Sequence, residues 1–125
     1  MKNLKKENNM YDDNNIFAKI LRSEIPCKKI HEDEFSLFFY DINPQAKIHV
    51  LGIPKTPCVD FKDFISKSDN KTISSFFSSV NLVLEKLNIK EEGFRLVSNS
   101  GENGGQEVPH FHIHILAGEK IGSIR

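Results

Sequence analysis

Apolar side chains recur every three or four residues in the second half of the chain and predict one long helix. Asp69 precedes this stripe as a suitable N-cap, and the helix is predicted to end near Asn88. An apolar stripe of this width serves a core or an interface between subunits. Its members are Ile73, Phe76, Phe77, Val80, Val83, Leu84 and Leu87.

Two shorter stripes predict short helices, one near the start of the chain and one before the long helix. Asn14 or Asn15 can cap the first helix, and Ile25 followed by Pro26 stops it. The first stripe comprises Ile16, Phe17, Ile20 and Leu21, and the second comprises Phe61, Phe64 and Ile65.

Five further segments are typical of β-strands, several of them with apolar side chains at every second position. They cover residues 28–32, 34–40, 47–53, 94–98 and 108–117, with turn-forming residues between several of them. These segments and the helices predict an α+β domain: a five-stranded antiparallel sheet with one long and one or two short helices.

Composition narrows the class of protein. Because 17 basic and 17 acidic side chains cancel, no bulk charge predicts binding to nucleic acid or to a membrane. Cys27 and Cys58 are isolated, which favours a reducing compartment and leaves a disulfide between them open. No apolar run approaches a membrane span, and no signal-peptide core follows the early lysines. We expect one cytoplasmic domain after a flexible polar arm over residues 1–12.

Three of the five histidines of the chain lie at alternate positions, His110, His112 and His114. On a strand this spacing places them on one face, with neighbours about 6.6 Å apart. Zinc holds nitrogen ligands at about 2.0–2.1 Å, so all three could hardly meet one ion. The run 98–106 upstream contains three glycines and can aim backbone N–H groups at an anion. Imidazoles beside such a loop favour phosphate chemistry.

Gly104, Gly105 and Gln106, followed by the three alternating histidines, resemble the signature of the histidine-triad (HIT) family. The resemblance is to its Hint branch of histidine-triad nucleotide-binding proteins. It extends back through residues 41–46 and His49 to the first apolar stripe, and it covers residues 13–119, leaving 120–125 as a tail. The resemblance also implies a dimer, in which the sheets of the two subunits join across the interface.

The resemblance implies hydrolysis of purine nucleoside phosphoramidates without a cofactor or a metal. His112 would attack phosphorus and form a nucleotidyl-histidine, which water then hydrolyses to a nucleoside 5′-monophosphate. His110, with His49, would order the site and relay a proton toward the leaving group. The implied phosphate contacts are His114, Asn99, Gly105 and Gln106, and the implied nucleoside contacts are Asp41, Ile42, Ile16, Phe17, Ile20 and Phe39.

Several departures from the family pattern bear on substrate preference. Pro109 stands where relatives usually carry an aromatic residue, and Glu107 stands where some relatives carry serine. Ala117 and Gly118 replace a pair of glycines, and the tail lacks aromatic residues. Three alternatives stay open: a nucleotide-binding or scaffold protein with little turnover, a dinucleoside polyphosphate hydrolase, and a zinc protein using two of the histidines with Cys27 or Cys58.

Overall fold

The sheet is antiparallel throughout and has the strand order β1-β2-β3-β5-β4. The computed structural model describes residues 10–124, so most of the predicted arm, residues 1–9, lies outside the described residues. Five strands, one long helix and two short helices confirm the predicted α+β class. In chain order the elements are α1 (Ile16–Leu21), β1 (Lys29–Glu32), β2 (Ser36–Tyr40), β3 (Ile48–Pro54), α2 (Phe61–Lys67), α3 (Asn70–Lys86), β4 (Phe94–Val97) and β5 (Ile113–Ala117).

The long helix α3 begins and ends close to where its sequence predicts. The Asp69 side chain accepts a hydrogen bond from the Thr72 N–H at 2.8 Å, which satisfies one of the free donors of the first turn. At the other end Asn88 adopts a left-handed conformation with φ 58°, which stops the helix. No helix of residues 10–124 is long and apolar enough to cross a membrane.

Helices α2 and α3 cover one face of the sheet through an aromatic core. The ring of Phe64 stacks on Phe111 with centroids 4.9 Å apart, and Phe76 lies 5.9 Å from both Phe38 and Phe111. All four rings are buried. Burial of each contributes about 1.5–3 kcal/mol, so these four rings stabilise the packing of both helices on the sheet.

The short helix α1 covers part of the opposite face. The Asn15 side chain caps it by accepting from the Ala18 N–H at 2.9 Å. Phe17 and Ile20 then pack against side chains of β2 and β3, among them Phe39 and Leu51. This second layer is small, so it leaves the rest of the face open for a site.

The last strand is shorter than predicted and begins at Ile113. Pro109 has no backbone N–H, so it cannot donate a hydrogen bond to a neighbouring strand. The N–H of His110 donates to Val108 O at 2.8 Å, and that of Phe111 donates to Cys58 O at 2.9 Å. These backbone groups are held by a turn and by a loop, so the prediction of a strand over residues 108–117 is wrong for its first five residues.

Candidate active site

A cavity of about 510 Å³ opens on the α1 face of the sheet. Helix α1, the turn between β2 and β3, and the loop before β5 surround it. Of the residues that the sequence nominates, Ile16, Phe17, Ile20, Phe39, Asp41, Ile42, His49, Asn99, Gly105, His112 and His114 line it. His110 and Gln106 are absent from this lining, so the structure divides the nominated residues into two groups.

His112 presents a free ring nitrogen to the cavity. Its Nδ1 lies 2.7 Å from the main-chain oxygen of His110, and a carbonyl oxygen can only accept. The proton of a neutral ring is therefore on Nδ1, and Nε2 carries the lone pair. Burial lowers the pKa of His112, which keeps the ring neutral at pH 7.

A second chain of hydrogen bonds gives His114 the opposite tautomer. The N–H of Gln45 donates to His49 Nδ1 at 2.9 Å, so the proton of His49 is on Nε2. That Nε2–H donates to His114 Nδ1, also at 2.9 Å. His114 must then carry its own proton on Nε2. Burial lowers the pKa of His114 to about 4, so this ring is a neutral donor.

Asp41 combines a turn role with a place in the cavity. Its Oδ1 accepts from the Asn43 N–H at 2.8 Å, which closes the turn after β2. Its Oδ2 lies 3.4 Å from His49 Nε2 and is part of the cavity wall. The carboxylate keeps unused lone pairs on the cavity side, where a ligand hydroxyl can donate to them.

The glycine loop before β5 is closed by its own hydrogen bonds. A Cβ at Gly104 would lie 2.3 Å from the Ser100 carbonyl oxygen, and Gly105 has φ +75°, so this backbone path needs both glycines. The N–H groups of Gly105 and Gln106 donate to Glu102 O and Gly101 O. Of this loop, Asn99, Gly105 and Glu107 reach the cavity.

Gln106 braces this loop from behind. Its Oε1 accepts from the Gly101 N–H at 2.9 Å, and its Nε2 donates to Val59 O and Val108 O at 2.7 and 2.9 Å. Both the oxygen and the nitrogen of its side-chain amide are therefore already hydrogen-bonded within the protein. A direct phosphate contact by Gln106 remains a prediction, whereas its bracing role is visible.

His110 is fully buried and absent from the cavity lining, which differs from its predicted place in a row of three imidazoles on one strand face. Its Nε2 lies 2.9 Å from Pro54 O, and its Nδ1 lies 2.5 Å from the hydroxyl of Tyr11. With both nitrogens hydrogen-bonded and no place in the cavity lining, the ring is positioned to order the site, whereas the relay of a proton through it remains a prediction. The prediction of a strand face shared by all three histidines fails here because the chain turns at Pro109.

Tyr11 and Gln45 are contacts that the sequence did not nominate. Tyr11 falls in the stretch predicted as part of a flexible arm, yet its hydroxyl reaches His110. Gln45 acts through its backbone N–H, which any residue except proline would supply. The one local signal for Tyr11 is that it is the only aromatic residue among the first 16 positions.

The site holds a poor donor set for a metal ion. Among residues 10–124, the one group of three candidate ligands is Asp41, His49 and His114, with atoms within 4.8 Å of one another. For His49 to ligate through Nε2, its proton would have to move to Nδ1, where it would face the N–H of Gln45. Metal-bound histidines need an acceptor at that second nitrogen.

The cysteines fit the zinc alternative no better. Burial raises the pKa of the Cys58 thiol to about 12, and that thiol donates to the Thr56 carbonyl. Burial also raises the pKa of Cys27. Among residues 10–124, neither cysteine belongs to a group of three candidate ligands, so no thiol is placed to complete a site with two of the histidines.

An antiparallel sheet that offers paired neutral imidazoles to a cavity, beside a glycine loop, defines a protein of the histidine-triad class. The HIT domain model matches residues 22–121, and the chain belongs to the HIT domain family.

Relatives of similar length support this assignment. A HIT-like protein of Azospirillum brasilense is 50% identical over 112 residues, which cover 90% of this chain and 92% of the relative. The purine nucleoside phosphoramidase of Escherichia coli K12 is 36% identical over 107 residues, covering 86% and 89%.

Solved structures agree. A histidine triad protein from Clostridium difficile has a TM-score of 0.81 at 36% identity, covering 93% of this chain and 100% of that one. A HIT family hydrolase from Legionella pneumophila also has a TM-score of 0.81 at 36% identity, covering 87% and 96%. At the level of the family, the chain is therefore a relative of nucleotide hydrolases.

Proposed function

We propose that this protein hydrolyses purine nucleoside phosphoramidates through a nucleotidyl-His112 intermediate, releasing an amine and a nucleoside 5′-monophosphate. The observation that carries the proposal is the set of hydrogen-bond partners that requires opposite tautomers on two neighbouring rings. His112 offers a lone pair and His114 offers an N–H, with ring centroids 5.2 Å apart. A nucleophile beside a fixed donor is what displacement at phosphorus requires. The 36% identical phosphoramidase of Escherichia coli supports the same activity.

In the first step, Nε2 of His112 forms a bond to phosphorus as the P–N bond breaks. The Nδ1–H of His112 stays on the His110 carbonyl, which stabilises the positive charge that develops on the ring. His114 donates its Nε2–H to a phosphoryl oxygen, and we assign the role of second donor to Asn99, which also lines the cavity.

The departing nitrogen takes up a proton as it leaves. His114 is not a source of this proton, because a second proton on its Nδ1 would face the Nε2–H of His49, so the ring stays neutral and needs its one proton on Nε2. We assign this proton to water at the mouth of the cavity rather than to a relay through His110 and His49. Giving up that proton leaves a hydroxide in the cavity. In the second step this hydroxide, or a water that returns a proton to it, attacks phosphorus as the bond from phosphorus to Nε2 breaks. No net proton is gained or lost, and His112 leaves with its Nδ1 proton in place.

The rest of the cavity suits a nucleoside. Phe17 and Phe39 present rings that meet edge to face at 5.9 Å, and Ile16, Ile20 and Ile42 extend this apolar wall. A purine can bury its faces against such a surface. The Asp41 carboxylate lines the same cavity with its Oδ2 3.4 Å from His49 Nε2, and we place the two ribose hydroxyls against it.

Charge favours an amine over a phosphate as the leaving group. Among the described residues, the cavity lining contains no lysine or arginine, and it contains the carboxylates of Asp41 and Glu107. A polyphosphate would bring several negative charges to neutral imidazoles and two carboxylates. This balance disfavours the dinucleoside polyphosphate alternative.

The test is turnover of adenosine 5′-phosphoramidate by purified protein in EDTA, with His112→Ala as the matched control. We expect AMP from the wild type and none from the variant. Tight AMP binding without turnover would support the nucleotide-binding or scaffold alternative instead. Activity that is lost on chelation and restored by zinc would refute the metal-free mechanism.

We further propose that the protein is a cytoplasmic homodimer. β4 lies at the sheet edge, and Phe94 and Leu96 on it are 39% and 43% exposed. Phe77 and Leu82 on α3 add exposed apolar surface, which is typical of an interface. Light scattering at micromolar concentration should give the dimer mass, and a monomer would contradict the proposal.

Free Cys27 and Cys58 fit a reducing compartment, which supports the cytoplasmic location, and cell fractionation can check it.

A further inference from the structure

Tyr11 makes a close contact with a buried triad histidine, although it lies 99 positions away in sequence. Its hydroxyl is 2.5 Å from His110 Nδ1, and the two rings meet edge to face with centroids 5.5 Å apart. His110 is 0% exposed. The backbone behind Tyr11 is anchored as well, because the Asp12 carbonyl accepts from both the backbone N–H and the side-chain amide of Asn15.

The direction of this hydrogen bond follows from the partners of His110. Pro54 O can only accept, so His110 Nε2 carries a proton and donates at 2.9 Å. Burial lowers the pKa of His110 to about 4, so the ring is neutral and has no second proton. Burial also raises the pKa of Tyr11, which keeps its hydroxyl protonated. Tyr11 therefore donates, and His110 Nδ1 accepts.

The same histidine holds the proton of the nucleophile through its backbone. The His110 carbonyl accepts the Nδ1–H of His112 at 2.7 Å. When Nε2 of His112 bonds to phosphorus, that ring becomes cationic and this hydrogen bond strengthens. A carbonyl that moved would lose this interaction in the transition state more than in the ground state.

We propose that Tyr11 is a positioning residue for the nucleophile: by fixing the His110 ring, it holds the carbonyl that keeps the His112 proton on Nδ1. The His110 ring is clamped at both nitrogens, by Tyr11 on one side and by the end of β3 on the other. The Phe17 ring touches both imidazoles, with centroids 6.3 Å from His110 and 4.9 Å from His112, so a displaced His110 ring would press on the nucleophile. The kinetic part of this inference rests on the proposed function, and the tautomer part does not.

The experiment compares Tyr11→Phe with Asp12→Ala in the full chain. Tyr11→Phe removes only the hydroxyl. Asp12→Ala removes a neighbouring carboxylate, which accepts from the Asn14 N–H at 2.9 Å, and it keeps both the Tyr11 hydroxyl and the Asp12 carbonyl that anchors the segment. Long-range ¹H–¹⁵N spectra of the histidines report each tautomer directly, and steady-state kinetics with adenosine 5′-phosphoramidate report catalysis.

We expect the wild type to show His110 protonated at Nε2 and His112 protonated at Nδ1. In Tyr11→Phe the His112 ring should become a mixture of tautomers, and kcat should fall about tenfold while KM changes little. Asp12→Ala should keep the wild-type tautomers and kcat, even if its Tm falls.

Three results would overturn the proposal. The first is wild-type His110 carrying its proton on Nδ1, which can be observed even if the variant does not fold. The second is a Tyr11→Phe protein with wild-type tautomers and kcat. The third is the same loss of kcat in Asp12→Ala. If the wild type lacks phosphoramidase activity altogether, the proposed function fails, and the spectra still test the positioning role.

Discussion

Asp41 has two roles that a pair of substitutions can separate. Its Oδ1 closes a turn by accepting from the Asn43 N–H, and its carboxylate faces the proposed ribose position. Asp41→Asn keeps an acceptor for the turn and removes the charge, whereas Asp41→Ala removes both. A hydrogen bond to a charged group contributes about 1.5–3 kcal/mol. AMP affinity should therefore fall roughly tenfold to a hundredfold in the alanine variant and somewhat less in the asparagine variant.

Calorimetric titration with AMP measures this loss, and thermal unfolding measures the turn. The turn bond is exposed to solvent, so it contributes only about 0.5–1 kcal/mol net. Tm should therefore fall by about 2–5 °C in Asp41→Ala and stay near the wild-type value in Asp41→Asn. If both variants bound AMP as the wild type does, Asp41 would serve the turn alone, and the placement of the ribose would be wrong.

Three further predictions concern charge. Because burial lowers the pKa of His112, kcat/KM should stay level above about pH 6.5 and fall on acidification, and a midpoint above that pH would contradict a neutral nucleophile. His110 and His114 have pKa values lowered to about 4, so the unfolded chain binds more protons between about pH 6.5 and 4. The free energy of unfolding should decrease across that window as pH falls, and a flat profile would refute the burial of these rings. Glu107→Gln should raise the turnover of substrates with anionic leaving groups by about twofold to fivefold relative to the turnover of phosphoramidates, because it removes a negative charge from the cavity. Salt should reduce this difference between wild type and variant. If the ratio of the two turnover rates did not change, Glu107 would not lie near the leaving group.

Much of the fold follows from local patterns. The apolar spacing between Ile73 and Leu87 and the cap at Asp69 predict α3, because both signals lie within the helix itself. The alternation around His49 and His114 predicts two strands, which pair so that Leu51 lies opposite His114. Asn15, one of the two asparagines proposed as a cap, is the cap of α1.

The geometry of the site depends on contacts between distant parts of the chain, which no local sequence pattern can predict. Alternation extended through His110 predicts a third imidazole in the cavity, but Pro109 and the loop at Cys58 redirect the backbone. The partner of the His110 ring comes from Tyr11 at the other end of the chain. The tautomers depend on the backbone atoms of Gln45 and Pro54, whose positions only the folded chain fixes.

The central claim is that His112 forms a covalent bond to phosphorus, and rapid quenching tests it most directly. Wild-type protein mixed with adenosine 5′-phosphoramidate and quenched in the steady state should contain a fraction heavier by one adenylyl group. Peptide mapping under conditions that preserve phosphoramidate bonds should place the group on His112. The His112→Ala variant should bind AMP with little change, show no adduct and lose turnover by orders of magnitude. An adduct on His114, or near-wild-type turnover without His112, would contradict the mechanism.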